Sequence, residues 1–212
     1  MDSQPSAMLY SASPMVGATE GLDGASTRSL GSFSGKRKGS FQIKLLETSE
    51  ELHQAMKIRT KVFQEEQNIP VEIEFDGHDE KAFHVLVVDK STNEGGAHSS
   101  PIATGRVLIV NDDDESSWKK QVGIPMPMVG QRKRGVLGRI AVLPDYRRQG
   151  LGRKVVRFLE EVARQHDARH VSLTPHSYLE DFYGSLGFRR VPGSSTFVAG
   201  PATLIHMAKQ LH

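Results

Sequence analysis

The stretch Val136-Leu-Gly-Arg-Ile-Ala-Val-Leu-Pro-Asp-Tyr-Arg-Arg-Gln-Gly-Leu-Gly-Arg153 sets the architecture of this chain. Val136, Leu137, Ile140, Ala141 and Val142 form an apolar, β-branched run ended by Pro144, too short for a helix, and it reads as a buried strand. Leu151, Val155, Leu159 and Val162 then recur at steps of four, four and three, which puts them on one face of a helix. Between strand and helix lies Arg147-Arg148-Gln149-Gly150-Leu151-Gly152. Glycines there let backbone N–H groups close on an anion, and a helix N-terminus adds unpaired donors and partial positive charge. Arg147 and Arg148 can supply charge-assisted bonds to the same anion. The unit reads as a pyrophosphate cradle.

Two common cradles do not fit. A P-loop requires Gly-x4-Gly-Lys-Ser/Thr, which the chain lacks, and the dinucleotide fingerprint requires a third glycine that does not follow Gly152. The order Arg-x-x-Gly-x-Gly after a hydrophobic strand resembles the coenzyme A loop of the GCN5-related N-acetyltransferases, the GNAT superfamily. That resemblance implies acetyl-coenzyme A as acyl donor, with Arg147, Arg148, Gln149, Gly150, Leu151 and Gly152 around its pyrophosphate. Ile140, Ala141 and Val142 would line the pantetheine arm and offer backbone N–H groups to the thioester carbonyl.

The rest of the chain sets the bounds. Its 212 residues, 37% hydrophobic, have room for one sizeable core. With no cysteine, disulfides, cysteine nucleophiles and thiolate metal sites are excluded. A formal charge of +2 does not point to nucleic acid, and no apolar run approaches the roughly 18 residues that span a membrane. A cytoplasmic location is expected, with a nuclear one left open by Lys36-Arg37-Lys38. Residues 1–40, rich in Ser, Gly, Ala and Pro without sustained period, read as a disordered arm ahead of a domain over 41–212.

Within that domain Phe41 to Leu46 reads as a strand. Thr48-x-x-Glu51 is a capping box opening a helix that carries Leu52, Ala55, Met56, Arg59, Val62 and Phe63. Strands are expected over Ala82 to Val88 and Ile102 to Val110, joined by a polar hairpin loop over 89–101. The 111–135 stretch, with Asp112-Asp-Asp-Glu115, prolines 125 and 127 and Arg132-Lys-Arg134, reads as a flexible insertion. His170 to Leu173 is a strand, Tyr178 to Leu186 a short helix ended by Gly187, and Thr203 to Met207 a last strand. The order predicts an α/β protein: a mixed central sheet with helices on both faces.

That order is also the GNAT order. Ile58-Arg-Thr-Lys-Val-Phe-Gln-Glu-Glu-Gln67, Phe75-Asp-Gly-His-Asp79 and His84 are similar to the opening of the ElaA/YjcF-like branch. Tyr178 to Phe188 is similar to the GNAT helix that ends in "FY…GF", and the tail from Phe197 to Met207 resembles the same branch. The implied chemistry is direct attack of a neutral amine on the thioester carbonyl. It needs a base for the ammonium, a donor for the oxyanion and an acid for the departing thiolate. A phenol near pKa 10 stays protonated at neutral pH, and the resemblance selects Tyr183 as the acid. Glu66, Asp79, His84 and His176 all carry suitable basic groups; Glu66 and His176 are retained as the catalytic candidates. Asp76-x-His78-Asp79 with His84 invites a metal reading, but acyl transfer needs no metal and none is expected. Glucosamine-6-phosphate acetyltransferases carry an acidic pair where this chain has Gly138-Arg139, which weakens an amino-sugar acceptor. Arg139 is expected to pair with a carboxylate rather than meet a substrate anion. The expected acceptor is a primary amine on a small molecule. A lysine peptide and a coenzyme A-responsive module without turnover are the rivals. A homodimer through the final strands is compatible with the sequence, which does not determine it.

Overall fold

The computed structural model describes residues 40–91, 100–111 and 133–212. The expected arm, save residue 40, and positions 112–132 of the expected insertion lie outside them. Strand β2 (Phe83–Asp89) shows how the core is divided. Its Val85 and Val87 enter one buried cluster and its Leu86 and Val88 another. Alternate side chains of a strand point to opposite faces, so a strand covered on both faces becomes apolar throughout. One cover is helix α1 (Ser49–Arg59), which supplies Ala55 and Ile58. On the other face lies the helix Leu151–Gln165, here α3, which supplies Leu151, Val155, Leu159 and Val162. Each of those four is at most 2% exposed, and burial of such a side chain contributes about 1.5–3 kcal/mol. Between the two in sequence is the single turn α2 (Val71–Glu74).

The sheet has seven strands in the order β1-β2-β3-β4-β5-β9-β6. β1 (Phe41–Leu45), β2, β3 (Ser100–Asn111) and β4 (Lys133–Val142) are successively antiparallel. β5 (Ala168–Leu173) lies parallel to β4 across the α3 crossover. β6 (Arg189–Arg190) and β9 (Met207–Gln210) complete the far edge antiparallel, while β7 (Phe197–Ala199) and β8 (Ala202–Leu204) form a separate hairpin. The sheet is therefore mixed, with helices on both faces. Gly105 on β3 is required by the close approach of α3: a Cβ there would stand 2.6 Å from Val155 Cγ1.

Several boundaries differ from expectation. Asn111 pairs with Lys133 and Ile109 with Gly135, so the ends of the expected insertion are strand. Backbone pairing extends the ladder through Lys133 and Arg134, where charge breaks the apolar pattern. At the start of β3, Val88 faces Pro101 and Val87 faces Ala103, so Ile102 is bulged; a bulge accommodates a proline that has no N–H to give. The expected strand 203–207 is split. Ile205 donates its N–H to the Pro175 carbonyl, His206 stacks on Phe197 at 4.7 Å, and the sheet strand begins only at Met207. The capping box at Thr48 and Glu51 forms as read. Past Arg59, however, the helix widens into a π-helical stretch, Thr60–Glu66. The helix expected over 178–186 comprises a 3-10 turn, Ser177–Leu179, and a short α4 (Glu180–Gly184), with Gly187 at φ +95°.

Candidate active site

The site is opened by two strands that part. β4 and β5 pair as far as Val136 and Ser172; from Leu137 onward β4 has no strand partner on that side among the described residues. On its other side Ala141 faces Thr104 and Gly138 faces Arg106, so Arg139 and Ile140 together oppose Gly105. This bulge puts Arg139 at φ +55°, a left-handed conformation that costs a non-glycine residue energy. It bends the strand that carries Ile140, Ala141 and Val142 past the opening. Ala141 is buried; Ile140 and Val142 are half-buried beside it. Ligands of α/β sheets collect beyond the carboxyl ends of parallel strands, and both β4 and β5 end here.

Beyond β4 the chain makes a 3-10 turn (Pro144–Tyr146) and reaches α3 through Arg148 at φ +59° and Gly150 at φ +76°. Gly150 caps α3 with no side chain, and a Cβ built there would meet nothing within 4 Å. A fifteen-residue helix thus presents its first-turn N–H groups without a side-chain cap. A Cβ at Gly152 would lie 3.5 Å from Phe182, so the first turn also sits close to α4. Arg148 is exposed and Leu151 buried, and Gln149 reaches the Asp145 carbonyl at 3.5 Å. Uncapped donors, open space at Gly150 and an exposed guanidinium fit a diphosphate.

Arg147 turns the other way. Its Nε donates to the Val142 carbonyl at 3.0 Å, and its two terminal nitrogens grip Glu66 at 2.8 and 2.5 Å. The Arg147 guanidinium holds the Glu66 carboxyl below its ordinary range. Glu66 is the last π-helical residue, and the next side chain, Gln67, reaches the loop after β5: its Oε1 lies 3.2 Å from His176 Nε2. His176 is half-buried and packs on Tyr178 at 5.1 Å; burial pushes its pKa below the usual histidine value. Glu66, Arg147 and His176 therefore meet around one turn of chain that bridges the ends of β4 and β5.

Tyr183, on α4, is only 7% exposed, and its ring stands edge-on to Phe182 and Phe188 at 4.9 and 5.8 Å. Burial raises its pKa, so the phenol keeps its proton at neutral pH.

The other two basic candidates belong to a buried ion network. Arg59, wholly buried, donates to Glu74 at 2.5 Å and to both oxygens of Asp79 at 2.7 and 3.1 Å. Arg106 binds Asp79 at 2.7 Å and clasps Asp76. Arg139 donates to the carbonyls of Ile73 and Glu74 at 2.7 and 2.9 Å and to Asp76 at 3.0 Å. Its expected carboxylate partners are thus present, supplied by the 73–76 segment. Arg106 and Arg139 outweigh the upward push of burial on Asp76 and hold its carboxyl at about 2. Burial pushes Glu74 up against the pull of Arg139 and Arg59, and lowers His84, whose Nε2 meets the Asp79 carbonyl oxygen at 2.9 Å. Among the described residues no three ligating side chains gather as a metal site would require.

Sequence reasoning passed over Gln67, which does not titrate, and over the roles of Arg59 and Arg106. One signal for Arg59 was present: an arginine inside an apolar helical stripe requires a buried carboxylate partner.

The chain is similar to known proteins in sequence and in fold. A model of the acetyltransferase (GNAT) domain matches residues 109–211. The uncharacterized protein YyaT of Bacillus subtilis (strain 168) is 31% identical over 150 residues, spanning 69% of this chain and 82% of its own. The uncharacterized N-acetyltransferase YjcF of the same organism is 27% identical over 145 residues, 68% of this chain and 83% of its own. Among solved structures, Escherichia coli ElaA superposes with a TM-score of 0.58 at 23% identity, over 80% of this chain and 99% of ElaA.

Proposed function

The chain belongs to the GNAT superfamily, in its ElaA/YjcF-like branch, and from that premise we propose that it transfers the acetyl group of acetyl-coenzyme A to a primary amine on a small molecule. That it is an N-acyltransferase follows from the family; the acceptor and the residue roles are our reading. The observation that carries it is the uncapped N-terminus of α3 beside the unpaired side of β4. The first supplies donors for a diphosphate, the second backbone polar groups for an extended arm and a carbonyl.

The thioester supplies an activated acetyl carbon. The chain's own groups must then manage two protons. His176, kept neutral near pH 7 by burial, takes the proton of the attacking amine as the C–N bond forms. Tyr183, kept protonated by burial, gives its proton to the coenzyme A sulfur as the C–S bond breaks. Both oxygens of Glu66 are engaged by Arg147, so its part is to hold that arginine rather than to accept a proton. Arg148, the backbone from Gln149 to Gly152 and the N–H groups of Leu151 and Gly152 hold the diphosphate, with Ile140, Ala141 and Val142 along the arm. Arg139 is bound to the 73–76 segment and is not offered to an acceptor anion.

The test is release of free coenzyme A from acetyl-coenzyme A across small amines, amino sugars, polyamines and lysine peptides. We expect release with small amines, and Tyr183→Phe to lower turnover about 100-fold with little change in coenzyme A affinity. Release with peptides alone overturns the acceptor class. Saturable coenzyme A binding without release from any acceptor overturns the enzymatic reading.

A further inference from the structure

Glu66 and Gln67 are neighbours in sequence, yet they hold opposite lips of the opening between β4 and β5. Glu66 grips Arg147 in the loop after β4, and Gln67 meets His176 in the loop after β5. In a continuing α-helix consecutive side chains point roughly 100° apart. Here the helix widens over 60–66 and then stops, with Gln67 at φ −100°, ψ −3° and Asn68 at φ +55°. π-Helical turns re-aim the residues that follow them. In this chain Glu66 ends the widened stretch and Gln67 follows it, and these two residues span the opening.

The contact with His176 has a definite sense. The Gln67 carbonyl oxygen can only accept, so a 3.2 Å bond to Nε2 requires the proton to sit on Nε2. A neutral imidazole protonated there carries its lone pair on Nδ1, and no described residue hydrogen-bonds to that atom. The ring packs on Tyr178 at an interplanar angle of 30°, and the backbone at His176 is fixed by its β-bridge to Leu204.

We propose that Gln67 is a positioning residue that holds His176 as its Nε2–H tautomer, with Nδ1 as the acceptor of the amine proton. The inference rests on the reading of this site as an N-acetyltransferase with His176 as base. The proton leaves the attacking nitrogen as the C–N bond forms and arrives on Nδ1. The ring becomes an imidazolium, and its Nε2–H bond to Gln67 becomes charge-assisted and stronger. Glu66 fixes the same turn of chain to Arg147, so one short segment sets both the proton acceptor and the entrance to α3.

Nitrogen-15 NMR of labelled histidine, assigned by difference against His176→Gln, tests this without turnover. We expect the native ring to be protonated at Nε2. Gln67→Leu should yield a tautomer mixture and Gln67→Glu, which keeps an acceptor, should restore the Nε2–H form once the pH is above the imidazole pKa that the added carboxylate raises. Turnover should fall about tenfold in Gln67→Leu with the KM for acetyl-coenzyme A unchanged, and should recover in Gln67→Glu. An Nδ1–H ring in the native protein overturns the proposal, since it would mean the amide faces the other way. So does a tautomer indifferent to Gln67→Leu, or a loss confined to the KM for acetyl-coenzyme A. A ring set by Gln67 in a protein that acetylates no amine would instead keep the positioning contact and overturn the transferase reading.

Discussion

Two arginine–carboxylate clusters begin on one continuous helix, seven positions apart, and they are built for opposite purposes. Arg59, wholly buried, stands with Arg106 and Arg139 against Glu74, Asp76 and Asp79. Three positive groups meet three negative ones, and the backbone carbonyls of Ile73 and Glu74 take up further guanidinium N–H groups. Glu66 and Arg147 make a single bidentate pair whose side chains are each 39% exposed. Water can replace either partner of the exposed pair at little cost. It cannot reach Arg59, so each charge there needs the others. The buried cluster fastens the 71–79 segment to the bulge of β4. The exposed pair ties the loop before α3 to the end of the π-helical stretch through a contact that water can compete for.

The sharpest way to break this contrast is Arg59→Met. The change leaves Glu74 and Asp79 in place with one guanidinium fewer, and removing one partner of a buried ion pair typically costs about 3–5 kcal/mol. Urea unfolding should show a loss of that size. A loss below about 1 kcal/mol would mean that the network is solvated and that the contrast between the clusters is wrong.

Acid should expose the same difference at intermediate size. The folded pKa of Asp76 is depressed from 3.8 to about 2, and that of Asp79 is lowered by Arg59 and Arg106 against its burial. The folded state thus binds fewer protons than the unfolded one here. The stabilisation is complete above the unfolded value and is lost as pH falls through the folded one. Asp76 alone contributes about 2 kcal/mol, so stability should drop between about pH 4 and pH 2. Asp76→Asn should flatten that limb and Glu66→Gln should leave its steepness nearly unchanged. Equal flattening by both would show that exposure does not divide the clusters.

How much of this could be read beforehand follows from where side-chain pattern controls structure. β2, β4 and α3 were legible because both covers of the sheet impose their periods on Val85 to Val88 and on Leu151 to Val162. The basic glycine turn was legible because Gly150 needs positive φ and open space. Backbone pairing carries no such imprint, so β4 starts at Lys133 and the 203–207 run breaks where Ile205 bonds to Pro175. The π-helical turn has no compositional signature, and with it the joint placement of Glu66 and Gln67 stayed hidden. Each candidate was visible as a residue type; which carboxylates were already taken by arginine was not.

Glu66→Gln is the gentlest test, and its sign carries the information. An exposed bidentate pair contributes at most about 1 kcal/mol to stability, so the melting temperature should scarcely move. Coenzyme A affinity should respond instead. With Glu66 in place, a carboxylate stands beside the proposed diphosphate site and occupies Arg147. Replacing it removes a like charge and frees a guanidinium, so affinity should rise. The rise is limited to about fivefold, the equivalent of roughly 1 kcal/mol, and should shrink with added salt. Arg147→Ala should act in the opposite sense, because it removes a donor and leaves Glu66 unopposed. Titration calorimetry with coenzyme A at two salt concentrations separates these outcomes. If both substitutions weaken binding equally, the pair acts as one structural unit, and the exposed cluster then serves the architecture just as the buried one does.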